Sequence, residues 1–168
     1  MSNFAYINNK YVKFNNAKIH IEDRGFQFAD GVYEVISFYK KRLIDCEFHL
    51  KRLKYSLNEL DIKYNINKKK LISIFNNLIL KNKIYSGIIY IQITRGVQSR
   101  DHIYKNNLKN TIVIYLRKKV FNIPNKKFKK EKAITLNDLR WKRRDIKSIS
   151  LLPNIIAKTY AKKFGSFE

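Results

Sequence analysis

Apolar residues recur at helical spacing in the middle of the chain. Over residues 47–61 four leucines follow one another at steps of three, four and three, which places them on one stripe of a helix. The stripe consists of Leu50, Leu53, Leu57 and Leu60. A second amphipathic helix is predicted over residues 68–82. Its apolar face consists of Leu71, Phe75, Leu78 and Ile79.

Short runs rich in β-branched and aromatic residues predict strands before the first helix. Residues 4–8 and 10–14 are two such runs joined by a pair of asparagines, which tolerate the positive φ of a tight turn. These two runs predict a β-hairpin. A pair of lysines joins residues 32–39 to residues 42–44 and predicts a second hairpin.

Two further β-branched runs follow the helices. Residues 87–94 and 111–116 are too short and too rich in isoleucine and valine for helices, and they predict central strands. Two hairpins, two helices and two more strands, in that order, indicate an α+β fold. We place the boundary of this N-terminal domain at residues 1–120, and the chain contains no internal repeats.

Residues 121–168 differ from the preceding domain. The basic, proline-containing stretch 121–132 predicts a linker. Residues 133–136 predict a short strand, and a helix over residues 153–164 begins with proline and is followed by glycine, the usual start and stop signals. The segment is too short to fold independently without disulfides or a metal. We therefore interpret 121–168 as a linker and the incomplete start of a second domain.

The chain is strongly basic, with a formal net charge of +23 over 168 residues. Such a charge is typical of proteins that bind nucleic acid or anionic membranes, because lysine and arginine release counterions from phosphates. Here 27 lysines and nine arginines are spread along the chain, and only the run 126–130 interleaves a basic cluster with an aromatic residue. We therefore predict solvated, lysine-rich surfaces and no nucleic-acid partner.

The cysteine content and the longest apolar runs exclude several other classes. A single cysteine, Cys46, cannot form an internal disulfide, and no cysteine or histidine pair has the spacing of metal ligands. We expect no metal site and a reducing, cytoplasmic environment. No apolar stretch approaches the roughly 18 residues of a transmembrane helix, and the first residues lack the apolar region of a signal peptide. We expect no membrane partner.

Four spaced motifs carry the functional signal. They read EDRGFQFADGVYEV at 22–35, HLKRL at 49–53, YIQITRGVQSRDH at 90–102 and DLRWKRRDIKSISLLPNIIAK at 138–158. In this order they closely resemble the class IV (fold type IV) pyridoxal-phosphate-dependent aminotransferases, in particular the D-amino-acid branch. The resemblance implies the N-terminal small domain of fold type IV and the beginning of the cofactor-binding domain. One departure is Ala29, where such enzymes usually have glycine.

The resemblance also assigns roles to individual residues. Lys147 matches the catalytic lysine that binds pyridoxal phosphate covalently and shuttles the substrate proton, and Arg52 matches the residue that binds the cofactor phosphate. Tyr33, Arg100 and His102 match the group that binds the substrate α-carboxylate, a task suited to a phenol, a guanidinium and an imidazole. Without the family, Arg52 is typical of a cation on a helix surface, and Arg100 and His102 are typical of a polar loop.

The implied activity is transamination between a D-amino acid, such as D-alanine, and a 2-oxo acid, with pyridoxal 5'-phosphate as cofactor in a cytoplasmic homodimer. The pair Arg100 and His102 favours this branch over the branched-chain aminotransferases, which remain an alternative. Family members continue beyond residue 168, and the acidic residue that protonates the cofactor ring nitrogen lies in that further part. A non-catalytic remnant and half of a split enzyme are therefore further hypotheses, and the net charge of +23 adds a third, a basic nucleic-acid-binding module.

Overall fold

The protein is described by a computed structural model that covers residues 3–121 and 130–168. These residues form two compact units, the first of which combines residues 3–121 with the separate segment Ile146–Ile149. Most of the predicted linker, residues 122–129, lies outside the described residues. Every helix within the described part of the chain is too short or too polar to cross a bilayer.

The first unit is built on an antiparallel sheet, six-stranded in the described residues, with the order β2-β1-β6-β5-β3-β4. Both predicted hairpins and both predicted central strands are confirmed, and so is the α+β class. The strands are β1 (Phe4–Ile7), β2 (Lys10–Lys13), β3 (Gly31–Tyr39), β4 (Arg42–Leu43), β5 (Gly87–Thr94) and β6 (Thr111–Lys118). The helices of this unit are α1 (Arg24–Phe28), α2 (Cys46–Glu59) and α3 (Lys68–Asn82), and a 3-10 turn spans Phe14–Asn16.

The core lies on one face of this sheet, beneath α2 and α3. Helix α2 packs on β3, and α3 packs on β1 and β6. Side chains alternate along the central strands, so that Ile89, Ile91 and Ile93 of β5 are fully buried against the helices. The opposite face carries the partly buried side chains of the alternate positions. This alternation decides which side chains of β3 reach the helices and which reach the open face.

The two long helices form where the apolar spacing predicts them. In α2 the predicted stripe is buried at Leu50, Leu53 and Leu57, and Leu60 follows the last helical residue as a partly buried cap. Helix α3 has the predicted boundaries, and the Asn67 side chain accepts a hydrogen bond from the backbone of the first turn. Burial of this apolar stripe fixes the rotation of α2 about its own axis. The polar residues beside the stripe are thereby directed toward β3.

The short helix α1 was not predicted, because five residues are too few to show a hydrophobic period. Asp23 caps it: one carboxylate oxygen accepts from the Gly25 backbone at 2.9 Å, and the other accepts from the Thr94 hydroxyl at 2.9 Å. A Cβ on Gly25 would lie 2.2 Å from the Thr94 methyl carbon. Glycine therefore allows α1 to lie directly against the end of β5.

Ala29 directly follows the last residue of α1 and has the left-handed values φ +55° and ψ +27°. An L-residue with a Cβ is strained in this region, whereas glycine is not. This explains why glycine is usual at this position in the family, and it leaves the alanine of this chain without a structural explanation. We expect Ala29→Gly to raise the free energy of unfolding by about 1 kcal/mol, measured by urea titration. The same replacement at Ala17, where φ is −72°, should lower it, and equal effects at the two sites would contradict the explanation.

The second unit contains residues 130–145 and Ser150–Glu168, including helix α4 (Leu152–Lys163). The predicted C-terminal helix is confirmed, and Gly165 follows it with φ +65°. The predicted strand at 133–136 is wrong. Among the described residues, Lys132 and Ile134 make two backbone hydrogen bonds with residues 167 and 168, Ile134 N to Glu168 O at 2.8 Å and Phe167 N to Lys132 O at 2.7 Å. Two such bonds are too few for a ladder of paired strands.

Candidate active site

Lys147 lies on a short extended segment that pairs with the beginning of β3. The Tyr33 backbone N–H donates to the Lys147 carbonyl at 3.1 Å, and the Ile149 N–H donates to the Gly31 carbonyl at 3.1 Å. On its other side, the Lys147 N–H donates to the hydroxyl of Ser56, a fully buried residue of α2, at 3.1 Å. Strand and helix therefore fix the backbone of this lysine from two directions.

The half-buried side chain of Lys147 contacts Tyr33. Its Nζ donates to the Tyr33 hydroxyl oxygen at 3.3 Å and lies 4.4 Å from the centre of the same ring. Within the described ranges, no carboxylate forms an ion pair with this amine. The structure thus brings together two of the predicted site residues and leaves the lysine with a phenol as its polar partner.

The Tyr33 ring belongs to an aromatic row on the open face of the sheet. It stacks on Tyr90 of β5 with ring centres 5.6 Å apart, and Tyr90 contacts Tyr115 of β6 at 5.0 Å. Phe14 extends the row with an edge contact to Tyr115 at 5.9 Å. Each ring limits the rotation of the next, so the phenol that meets Lys147 is held by three neighbouring elements of the fold.

Tyr90 makes the free energy of unfolding of the protein dependent on pH in the alkaline range. Burial raises its pKa well above the usual value near 10, and the neighbouring Tyr115 and Tyr33 add to the effect. Above pH ~10 the unfolded chain releases this proton while the folded chain keeps it, so the free energy of unfolding falls as pH rises. We expect Tyr90→Phe to reduce that alkaline fall in urea titrations between pH ~9 and ~11.5. An unchanged pH dependence would contradict this assignment.

On the helix side of β3, Glu34 binds two side chains of α2. Its carboxylate is fully buried and accepts from Arg52 Nε at 2.6 Å and Arg52 Nη2 at 2.8 Å. His49 Nδ1 lies 2.8 Å from the same carboxylate. The hydrogen bond to Glu34 raises the pKa of the Arg52 guanidinium, which partial burial alone would lower. Glu34 therefore sets the orientation of the guanidinium plane.

The outer edge of Arg52 suits the phosphate group that the sequence predicts for it. Both hydrogen bonds to Glu34 come from one edge of the guanidinium, formed by Nε and Nη2. The Arg52 side chain is 49% exposed, so the opposite edge faces solvent. The Nη1 amino group has no hydrogen-bond partner among the residues that the structure describes, so its two N–H groups and the second N–H of Nη2 remain for an anion. A phosphate approaching from solvent would meet a guanidinium that is already oriented.

Sequence reasoning missed Glu34, His49 and Ser56, although each left a signal. Glu34 occupies a core position in the alternation of β3, and a carboxylate at such a position requires a cationic partner. His49 and Ser56 are spaced three residues before and four residues after Arg52, so all three lie along one edge of the apolar stripe of α2. Together these two patterns would have predicted the cluster.

Arg100 and His102 lie in a different cluster, on the exposed loop between β5 and β6. The Arg100 guanidinium carbon is 4.6 Å from the centre of the Phe28 ring, and the His102 ring centre is 5.4 Å from it. Among the hydrogen bonds and ring contacts of the described residues, none joins either side chain to Tyr33 or Lys147. The structure thus brings Lys147 and Tyr33 together and places the predicted carboxylate-binding pair against α1.

Sequence comparison finds related proteins along the whole chain. The profile of the family described as "Amino-transferase class IV" matches residues 31–168. D-alanine aminotransferase from Staphylococcus aureus (strain MSSA476) is 36% identical over 165 residues, which are 97% of this chain and 58% of the relative. D-alanine aminotransferase from Listeria innocua is 35% identical over 164 residues, or 96% of this chain and 57% of the relative. The chain thus spans somewhat more than half of these relatives.

Comparison with solved structures finds the same fold. The branched-chain aminotransferase of Thermoproteus uzoniensis, crystallised with norvaline, superposes with a TM-score of 0.82 at 14% identity, covering 98% of this chain and 58% of that one. At such low identity the likeness concerns the fold alone. The family profile covers most of the sequence, from residue 31 onward. The chain therefore belongs to the class IV aminotransferase family.

Proposed function

We propose that this chain carries the lysine end and the phosphate-binding end of a pyridoxal-phosphate site for transamination between a D-amino acid and a 2-oxo acid. The single observation that carries the proposal is the amine of Lys147, half-buried beside the Tyr33 phenol on a segment that β3 and α2 hold from both sides. Relatives named D-alanine aminotransferase support the substrate class.

In this proposal Lys147 holds pyridoxal phosphate covalently and Arg52 binds its phosphate through the outer edge that Glu34 leaves free. When bound, pyridoxal phosphate supplies the carbonyl that accepts the amino group and the ring that delocalises the electron pair left by a departing Cα proton. A second branched-chain amino acid aminotransferase of the same fold was crystallised with pyridoxamine 5'-phosphate. Its TM-score with this chain is 0.82 at 14% identity.

The remaining chemistry belongs to the chain's own residues. When it is not bound to the cofactor, the Lys147 Nζ would be the basic group that takes the substrate Cα proton and gives it to the former carbonyl carbon of the cofactor. The Tyr33 hydroxyl, 3.3 Å away, limits where that amine can move. The Tyr33 ring in turn stacks on Tyr90 of β5, which limits the rotation of the Tyr33 side chain.

The D-amino-acid assignment depends on the carboxylate-binding residues. Arg100 and His102 are exposed and offer a guanidinium and an imidazole, which together suit a small carboxylate. The branched-chain alternative has support from structural likeness alone, at identities that concern the fold. We therefore propose D-alanine-like donors and 2-oxo acids as the small-molecule partners.

A cytoplasmic homodimer completes the proposal, as the family resemblance implies. The single free cysteine, Cys46, is compatible with a reducing compartment. Sedimentation equilibrium of the purified chain tests the oligomeric state directly. A mass of one chain at all concentrations would contradict the dimer.

The central experiment is a titration of the 168-residue chain with pyridoxal phosphate, followed by borohydride reduction and peptide mapping. We expect saturable absorbance of the lysine-bound cofactor and label concentrated on Lys147, although the chain has 27 lysines. D-alanine with 2-oxoglutarate should then yield pyruvate, and L-leucine should not react. Label spread over many lysines, as in the urea-unfolded control, would contradict the proposed function.

A further inference from the structure

Helix α1 contains an arginine that is almost completely buried and that the proposed chemistry does not use. The Arg24 side chain is only 5% exposed. Its Nε donates to the Asp30 carboxylate at 2.8 Å, its Nη1 to the Asp101 carbonyl at 2.6 Å, and its Nη2 to the His102 carbonyl at 3.1 Å. One guanidinium therefore joins α1 to two consecutive carbonyls of the β5–β6 loop.

The last residue of α1 contacts the side chains of the same loop. The Phe28 ring lies 4.6 Å from the Arg100 guanidinium carbon, 5.4 Å from the centre of the His102 ring and 4.9 Å from the Arg24 guanidinium carbon. Cations favour the face of an aromatic ring, and a stacked guanidinium loses rotational freedom. Arg24 thus fixes the backbone of this loop, while Phe28 fixes the two side chains that project from it.

The loop itself is closed by internal bonds, so it can be held as one body. The buried Gln98 donates from Nε2 to the Ile103 carbonyl at 2.8 Å and accepts from the Lys105 N–H at 2.8 Å. The Ile103 N–H also donates to the Asp101 carboxylate at 3.0 Å. Within the same loop, the centre of the Tyr104 ring lies 3.6 Å from the Arg95 guanidinium carbon.

We infer that α1 is a platform that positions Arg100 and His102, with Arg24 and Phe28 as its two positioning residues. The inference rests on the proposed function, because that function assigns the substrate carboxylate to Arg100 and His102. The platform acts on substrate affinity and leaves the lysine end of the site unchanged. A lysine at position 24 would keep the charge but could not reach one carboxylate and two carbonyls together.

Phe28→Leu is the decisive variant, with Phe26→Leu as its matched control. Both phenylalanines lie in α1, but Phe26 is 71% exposed and has no ring contact among the described residues. We expect Phe28→Leu to raise the KM for D-alanine about tenfold or more with kcat within about twofold of the parent, since one stacking contact of each carboxylate-binding side chain is lost. Phe26→Leu should change neither constant.

Two readouts do not require activity. Proton NMR should show the His102 ring signals shifted in Phe28→Leu and unshifted in Phe26→Leu, because only the former removes a ring next to the imidazole. In Arg24→Lys, amide hydrogen exchange should accelerate about tenfold or more in residues 99–105, with the helices of the core protected as in the parent. Borohydride labelling of Lys147 should be unchanged in every variant.

The outcomes separate the platform from the proposed function. If the parent labels Lys147 and turns over D-alanine while Phe28→Leu keeps the parental KM, the platform is overturned. Parental exchange in Arg24→Lys, or parental His102 signals in Phe28→Leu, overturns it as well, with or without activity. A parent chain that neither labels nor turns over contradicts the proposed function, and the NMR and exchange measurements then decide the platform alone.

Discussion

A Lys147→Ala chain is expected to lose all specific labelling by pyridoxal phosphate and borohydride, and its D-alanine transamination should fall at least ~1,000-fold. The reason is chemical. Lys147 Nζ is the only amine that the proposal places at the cofactor and the substrate proton, and alanine removes both the covalent partner and the base. Rapid quench of the labelled chain with peptide mapping, together with a coupled pyruvate assay, measures the two losses.

The structure predicts that this variant remains folded. All three bonds that anchor the lysine segment are made by its backbone or by its neighbours, so they persist when the side chain is shortened. Lys142→Ala, in the same motif but at an exposed position, is the matched control and should label and react like the parent. Equal labelling of Lys147→Ala and Lys142→Ala would contradict the proposal that Lys147 binds the cofactor.

Arg52→Met is expected to weaken both the cofactor site and the fold. Loss of the outer guanidinium edge removes a charge-assisted contact to the phosphate, which should lower pyridoxal-phosphate affinity about 10- to 100-fold. The fully buried Glu34 would keep only His49 as a partner. Leaving a buried carboxylate short of its cation costs about 3 kcal/mol of unfolding free energy, the lower end of the usual range because Arg52 itself is half-exposed. Fluorescence titration and urea unfolding measure these effects.

Arg140 provides a control with the same exposure. Its side chain is 49% exposed, as that of Arg52 is, and it also forms a two-pronged pair, but its partner Asp138 is 43% exposed. The pair lowers the pKa of the Asp138 carboxyl, yet water can replace the arginine there. Arg140→Met should therefore leave the urea midpoint unchanged. If Arg52→Met also left the urea midpoint unchanged, the burial of Glu34 would not make its ion pair with Arg52 more stabilising than an exposed pair.

The coupling between Glu34 and Arg52 can be measured directly. In Glu34→Gln the inner partner is neutral, and Arg52 keeps its charge but loses its orientation. The double variant with Arg52→Met should be less unstable than the sum of the two single variants, because each single change already breaks the same interaction. Strict additivity in urea unfolding would show that the two residues do not stabilise one another.

The sequence by itself determined the elements whose information is local. The apolar stripe of α2, the boundaries of α3, the two hairpins and the glycine after α4 all follow from spacing and turn chemistry within about 15 residues. The four spaced motifs also identified the family, since their residues and their order can be read from the sequence without knowing which segments are in contact. The sequence also showed that Ala29 replaces the usual glycine, although it did not show the left-handed conformation of that residue.

Tertiary structure decided everything that depends on which segments meet. The pairing of the lysine segment with β3, the bond from Glu34 to Arg52 and the contact of α1 with the β5–β6 loop join residues that are 18 to 118 positions apart, the extremes being Glu34 with Arg52 and Gly31 with Ile149. Residues 133–136 show the converse, because strand-like residues form no strand without a ladder partner. Side-chain chemistry is local, but burial and pairing are properties of the whole fold, and they determine which charged groups are held in place and which are free to bind a ligand.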